Sequence, residues 1–215
     1  MSERWVLNAS PIIVLARVGQ EHLFEGLADE VVVPRAVVDE IQAGPTSDPG
    51  RQAVASGRFT VVDAAPVPEV VAWDLGIGET AVLSYALHGS GWTVILDDAA
   101  ARKCARSFGV SFKGTLAVVI VAKQDGLIPS ASGVLRSLLK GGFHLDEGII
   151  REALSRTVDE EWEQRLARRW RVGILAADII PHLAGVRHHS LPVAVSERAC
   201  QSHDLRKSRF QHRWR

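Results

Sequence analysis

Five oxygen-bearing side chains stand at the ends of predicted strands or on the helices beside them. Asn8 follows the first predicted strand, and Asp97 and Asp98 follow the fourth. Glu40 lies in the helix after the second strand, and Glu79 opens the helix before the fourth. Ligands bind at the carboxyl ends of strands in open parallel sheets. Oxygen ligands suit Mg²⁺ or Mn²⁺. Such a site could orient a water molecule for in-line attack on a phosphodiester.

Each of these residues also has a simpler explanation. Glu40 fits a solvated helix face, and Glu79 fits a first-turn residue that complements the helix dipole. Asp97 or Asp98 could be the N-cap of the following helix, and Asn8 could close a turn. Their shared placement at strand ends is the stronger argument for a common site.

The elements that position these residues alternate between two periodicities. Short apolar runs predict strands at Trp5–Leu7, Val31–Val33, Phe59–Val62 and Thr93–Leu96. Helical patterns cover Pro11–Val18, Glu21–Leu27, Arg35–Ile41, Glu79–Leu87, Ala99–Phe108, Thr115–Gln124, Ser132–Leu139 and Glu147–Leu154, and residues 44–50 read as a loop. This alternation predicts an α/β protein whose parallel sheet is covered on both faces.

The composition is that of an ordinary globular protein. The chain of 215 residues is 47% hydrophobic and 23% charged, and its apolar runs are far shorter than the ~20 residues of a membrane span. Cys104 and Cys200 are too few for a disulfide framework. No secretory signal is readable at the N-terminus. We therefore expect a cytoplasmic protein with two free thiols and no membrane partner.

The zero net charge is the sum of two unlike parts. Residues 1–162 carry 14 Lys and Arg against 21 Asp and Glu, a net charge of −7, and residues 163–215 carry 11 against 4, a net charge of +7. We predict one domain over residues 1–155 and a basic C-terminal extension over 156–215. The extension either contacts RNA or is a weakly ordered addition without a function.

Five ordered segments of the chain carry a family resemblance: NASPIIVLARVG (8–19), VPRAVVDEI (33–41), GIGETAVLSYA (76–86), ILDDAAARKCARSFGV (95–110) and GTLAVVIVAKQDGLI (114–128). Together they resemble a PIN domain, from the uncharacterised branch related to VapC-type toxins. The resemblance implies a three-layer α/β/α sandwich with a central parallel sheet and a metal-dependent endoribonuclease, often the toxin of a toxin–antitoxin pair. It also implies RNA as substrate, an antitoxin protein as a possible partner and a possible homodimer.

The resemblance also implies roles for individual residues. Asn8 falls where PIN nucleases usually have their first metal-binding Asp, so this chain has one negative charge fewer and should bind metal more weakly. Glu40 and Glu79 match the second and third acids. The fourth metal ligand is Asp98, with Asp97 as its near neighbour and alternative. These acids are the catalytic candidates with Mg²⁺ or Mn²⁺ as cofactor, and the substrate-contacting candidates are Ser10 and Arg102.

Two other functions fit parts of the sequence. A degenerate PIN-like module could hold RNA or protein without cleaving, which Asn8 and the −7 charge of residues 1–162 favour. A dinucleotide-binding oxidoreductase would explain the G-x-G-x-x-A pattern from Gly76, with Asp97 as the ribose ligand. Against it, Pro66 and Pro68 interrupt the segment where a strand should precede the fingerprint. Glu79 would also place a carboxylate where the pyrophosphate should lie.

Overall fold

The structure, a computed structural model, describes residues 3–162. In this part of the chain five strands alternate with ten helices. The strands are β1 (Arg4–Leu7), β2 (Glu30–Pro34), β3 (Thr60–Val62), β4 (Trp92–Ile95) and β5 (Ser111–Lys113). The helices are α1 (Ala9–Arg17), α2 (Leu23–Leu27), α3 (Arg35–Ala43), α4 (Pro49–Ala55), α5 (Pro68–Val71), α6 (Ile77–His88), α7 (Ala99–Ser107), α8 (Thr115–Gln124), α9 (Ala131–Lys140) and α10 (Glu147–Thr157).

All strand pairs in the sheet are parallel, in the order β3-β2-β1-β4-β5. Trp5, Val6 and Leu7 follow one another in β1, and all three are buried. Because successive side chains of a strand point to opposite faces, helices must cover both faces of the sheet. The architecture is therefore the expected three-layer α/β/α sandwich.

The strand order reverses direction beside β1. The chain moves from β1 to β2 and β3 on one side, then crosses to β4 and β5 on the other. Leu7 pairs with Ile95, and the backbone N–H of Asn8 extends the pairing by donating to the Ile95 carbonyl at 3.0 Å. The carboxyl ends of β1 and β4 therefore meet at the topological switch point, where ligands bind in open α/β sheets.

The four predicted strands and eight predicted helices are present, with ends shifted by no more than three residues. Three short elements were not predicted. β5 is a three-residue edge strand with a single large apolar residue, Phe112, which gives no periodicity to detect. α4 begins at Pro49, inside the stretch read as a loop, because Asp48 caps it by accepting from the Gly50 amide at 2.8 Å. The four-residue α5 likewise begins at a proline.

The described residues pack as one domain through Trp162. The predicted boundary at residue 155 falls within α10, and the chain beyond it returns to the first turn of α9. There the Glu160 carboxylate accepts from the amides of Ala131 and Ser132, at 3.0 and 2.8 Å, and from the Ser130 hydroxyl at 3.0 Å. These hydrogen bonds lower the pKa of Glu160 to about 2 although partial burial acts in the opposite direction.

The predicted basic stretch from residue 163 onward lies outside the described residues. Within residues 3–162, no helix has the length and apolar character needed to cross a membrane.

Candidate active site

Asn8 lies at the centre of the candidate site, between the end of β1 and the start of α1. Its side chain is 2% exposed, and its Nδ2 donates to Glu79 Oε1 at 3.1 Å. Its Oδ1 is buried and has no hydrogen-bond partner in the part of the chain that the structure describes. A buried acceptor without a donor costs about 1–3 kcal/mol, and in native proteins such an atom is commonly satisfied by a water molecule or an ion. This oxygen is therefore available to a bound cation.

Glu79 is the third residue of α6, which begins at Ile77. The N-cap of α6 is Gly76, which has no side chain to cap the helix. The Glu79 side chain turns back over the Gly76 α-carbon and also accepts from Asn8. Glu79 therefore combines the two explanations that the sequence left open, because it complements the helix terminus and also joins the cluster around Asn8.

Glu40 reaches the same place from α3. Val37, Val38 and Ile41 fix this helix on the core, and the Glu40 carboxylate lies over Gly78, on the same side as Asn8 Oδ1. The pKa of Glu40 is raised, mainly because the surrounding atoms desolvate its carboxyl group and also because of the negative charge on Glu79. The negative charges of Glu40 and Glu79 are thus held near each other, and a bound cation would reduce their repulsion.

An open cleft of about 470 Å³ leads to these carboxylates. Its lining combines residues of α3 with the start of α6: Ala36, Asp39, Glu40, Gly76, Ile77 and Glu79. Ile77 is 82% exposed, an unusual degree of exposure for a large apolar side chain beside a cleft. The cleft gives a substrate access to the cluster.

Asp97 follows the end of β4 and contacts Ser10, which stands two residues after Asn8. Its Oδ1 accepts from the Thr115 amide at 2.8 Å, and its Oδ2 accepts from the hydroxyls of Thr115 at 2.6 Å and Ser10 at 3.3 Å. Asp97 therefore links β4 to the start of α8 and to the first turn of α1. A carboxylate has about four lone-pair positions, so one remains for a further ligand.

Asp98 has a different position, although it is the next residue. It is exposed, and its Oδ1 accepts from the Ala101 amide at 2.8 Å as the N-cap of α7. Of the two adjacent acids, Asp97 is the one that the structure connects to Ser10. Asp98 therefore caps α7, whereas Asp97 contacts the first turn of α1 through Ser10.

Arg102 lies one turn into α7, near Asp97. A Cβ placed on Gly114 would stand 3.1 Å from Asp97 Oδ1 and 3.6 Å from a terminal nitrogen of Arg102, so both groups flank the same glycine. No ion pair between them falls within 4.0 Å in the described residues. The guanidinium is thus a positive charge at the rim that is available to a phosphate.

Thr115 is a partner of Asp97 that the sequence did not identify. It is fully buried, and both its amide and its hydroxyl donate to Asp97. The available signal was its position just after Gly114, at the start of an apolar helix, where a donor group needs a capping partner. The partner comes from another strand, which only the fold reveals.

The donor set fits a hard divalent cation. Among residues 3–162, no group of three or more His, Cys, Asp or Glu side chains forms a preassembled metal cage. The site instead offers the carboxylates of Glu40 and Glu79 and the buried amide oxygen of Asn8. Mg²⁺ is commonly held by one or two carboxylates, with waters and substrate phosphate completing its shell. Such a partial shell is what these three residues supply.

The chain thus combines a three-layer α/β/α sandwich with carboxylates near the switch point of its parallel sheet, the class of α/β protein that binds its ligand at this edge. A family model described as a PIN domain (DUF3368) matches residues 4–159, so the chain belongs to the PIN domain family. PIN domains are usually nucleases, and nuclease-type activity is the class that the family indicates. No curated protein matches the chain.

The dinucleotide fingerprint lacks its structural context. α5 and a turn precede Gly76, where the fingerprint requires a strand. Glu79 Oε2 covers the α-carbon of Gly76, at the helix terminus where a pyrophosphate would have to bind. The oxidoreductase alternative therefore receives no support from this site.

Proposed function

We propose that this protein is a metal-dependent endoribonuclease that hydrolyses RNA phosphodiesters. The observation that carries the proposal is the buried Oδ1 of Asn8, which has no hydrogen-bond partner among residues 3–162, beside the carboxylates of Glu40 and Glu79. Family membership supports the nuclease class. The resemblance of the five sequence segments to the PIN branch related to VapC-type toxins supports RNA as the substrate.

Asn8, Glu40 and Glu79 would hold Mg²⁺ or Mn²⁺, and Asp97 would supply the remaining carboxylate at the rim. The bound cation would neutralise charge on the phosphate and lower the pKa of a water molecule. One carboxylate of the site would accept the proton of the attacking water. Ser10 and Arg102 flank Asp97 and would orient the phosphate, with the Arg102 guanidinium offsetting its negative charge.

The resemblance further supports the toxin half of a toxin–antitoxin pair, with a protein antitoxin and a homodimer as proposed partners. The exposed side chain of Ile77 at the cleft would give an antitoxin segment an apolar contact at the entrance to the active site. A segment bound there would exclude RNA from the carboxylates.

The test is RNA cleavage by the full-length protein with Mn²⁺, and with EDTA in place of Mn²⁺. The wild type should cleave only with metal, and Glu40→Gln should reduce the rate by about 100-fold or more, as expected for the loss of a metal-ligating and proton-accepting group. Glu152→Gln is the matched control, because Glu152 lies on α10 in an exposed ion pair with Arg156. Metal-dependent cleavage that is unaffected by Glu40→Gln would overturn the site assignment.

One observation favours a second candidate, a PIN-like module that binds RNA without cleaving it. Asn8 contributes no charge, and its amide already satisfies one oxygen of Glu79. The same assay separates the two functions. RNA that is bound by pure wild-type protein and remains intact with Mn²⁺ would support the binding module.

A further inference from the structure

The Gly76-Ile77-Gly78 motif has no explanation in the backbone conformation. Gly76 has φ −59°, which any residue adopts, and Gly78 lies within α6 without a positive φ. Glycine destabilises a helix relative to alanine. This cost applies to Gly78, inside the helix, whereas Gly76 is the N-cap, where glycine is a favoured residue. Gly78 therefore requires another reason, and the neighbouring atoms indicate one that Gly76 shares.

At Gly78, a side chain would occupy the centre of the proposed site. A Cβ there would overlap Glu40 Oε2 and lie 3.2 Å from Asn8 Oδ1, with Val37 Cγ2 at 3.5 Å. Because Gly78 has no side chain, the Glu40 carboxylate can approach the side-chain amide of Asn8 across the start of α6.

At Gly76, the neighbouring acid is Glu79. A Cβ on Gly76 would overlap Glu79 Oε2, the carboxylate oxygen that does not accept from Asn8. Each glycine thus has one carboxylate oxygen directly over its α-carbon. The motif that resembles a pyrophosphate-binding turn is occupied here by the protein's own acids.

We infer that Gly76 and Gly78 are positioning residues of the cation site, whose missing side chains allow Glu79 and Glu40 to lie close to Asn8. The inference rests on the proposed function, since it assigns these oxygens to a divalent cation. It adds two residues that bind nothing themselves and act through the carboxylates above them.

The atoms that an added Cβ would overlap predict the effect of an alanine at position 76 or 78. Both are the ends of flexible glutamate side chains, so the carboxylates can swing away while the backbone keeps its place. Alanine should therefore displace the metal ligands and leave the fold intact. The expected effect falls on cation binding. The melting temperature of the metal-free protein should be unchanged or raised in Gly78→Ala, and slightly lowered in Gly76→Ala because alanine is a poorer N-cap than glycine.

The experiment is a calorimetric Mn²⁺ titration of the full-length protein, with circular dichroism and thermal unfolding of each variant without metal. Gly133→Ala is the control, because this glycine lies in the first turn of α9 and a Cβ there meets Ser130 at an ordinary 3.4 Å. We expect Mn²⁺ affinity to fall at least tenfold in Gly78→Ala and in Gly76→Ala, and to stay within twofold of wild type in Gly133→Ala.

The outcomes separate the inference from the proposed function. If the wild type binds Mn²⁺ and the folded Gly78→Ala and Gly76→Ala variants bind it equally well, the positioning role is overturned and the proposed function stands. Unfolding of Gly78→Ala, together with normal Mn²⁺ binding by Gly76→Ala, also overturns it. If the wild type itself binds no Mn²⁺, the metal-dependent function fails, and the inference fails with it.

Discussion

Asn8 Nδ2 donates a hydrogen bond to Glu79 Oε1 at 3.1 Å, and this contact joins the end of β1 to the first turn of α6. An aspartate at this position would place a third negative charge beside Glu40 and Glu79. The neutral amide instead donates to one carboxylate and presents its oxygen to the remaining space. The site is thereby less repulsive without metal and less attractive to metal, and both consequences can be measured.

Asn8→Asp should move stability and metal affinity in opposite directions. Without metal, the lost hydrogen bond and the added charge should destabilise the protein by about 1–3 kcal/mol at neutral pH. That corresponds to a fall in melting temperature of about 2–4 °C per kcal/mol for a domain of this size. With an added charged ligand, Mn²⁺ should bind about tenfold more tightly. Thermal unfolding with and without Mn²⁺ measures both, and an unchanged metal-free melting temperature would contradict the prediction.

Glu40→Gln should stabilise the metal-free protein at neutral pH. The raised pKa of Glu40 means that the folded state disfavours its charged form. The raised pKa therefore lowers the free energy of unfolding as the pH rises above 4.5, the ordinary pKa of a glutamate, and the carboxyl group ionises. A neutral glutamine removes this loss of stability. The resulting increase in the free energy of unfolding should be small because residue 40 is exposed and solvent screens its charge. The melting temperatures of the two proteins should converge in acid, and Mn²⁺ should no longer raise that of the variant. A melting temperature of Glu40→Gln below that of the metal-free wild type at neutral pH would contradict this prediction.

Substitutions at Asp97 and Asp98 should separate a site residue from a helix cap. Asp98→Asn should change little, because asparagine is an equally good N-cap, whereas Asp98→Ala should cost about 1 kcal/mol of stability and keep cleavage. Asp97→Asn should keep the fold, because the hydroxyls of Ser10 and Thr115 can rotate, yet reduce cleavage about 100-fold. Cleavage rates and urea unfolding of the three variants provide the comparison. Full activity in Asp97→Asn with loss in Asp98→Asn would reverse the assignment.

Glu160→Gln should weaken the attachment of the chain beyond α10 in a pH-dependent way. The pKa of Glu160 is lowered from 4.5 to about 2, so its stabilising contribution is complete above pH 4.5 and is lost as the pH falls towards 2. Its side chain is 16% exposed, so the charge-assisted hydrogen bonds should contribute about 1–3 kcal/mol. The melting temperature of Glu160→Gln should therefore lie below wild type at neutral pH and approach it in acid. Glu161→Gln is the control at the adjacent exposed residue. A difference in melting temperature between Glu160→Gln and wild type that persists at low pH would refute the mechanism.

Much of the fold could be predicted because the strands are short and apolar and the helices have clear boundaries. Apolar runs such as Trp5–Leu7 and capping residues such as Ser130 and Asp146 act through local energetics, which are legible in the chain itself. The edge strand β5 was missed because it draws its stability from pairing with β4, not from its own three residues.

The sequence by itself determined the α/β class, the resemblance to a PIN domain and the placement of Asn8, Asp97 and Asp98 after strands that meet at one edge. Those properties follow from hydrophobic periodicity and chain order. Only the tertiary structure decided which acids converge, because Glu40, Glu79 and Asn8 are far apart in sequence and meet where α3, α6 and β1 pack together. The tertiary structure also assigned different positions to the adjacent Asp97 and Asp98, and showed that Gly76 and Gly78 lie beneath carboxylates. Such contacts depend on packing between distant segments, which no local pattern encodes.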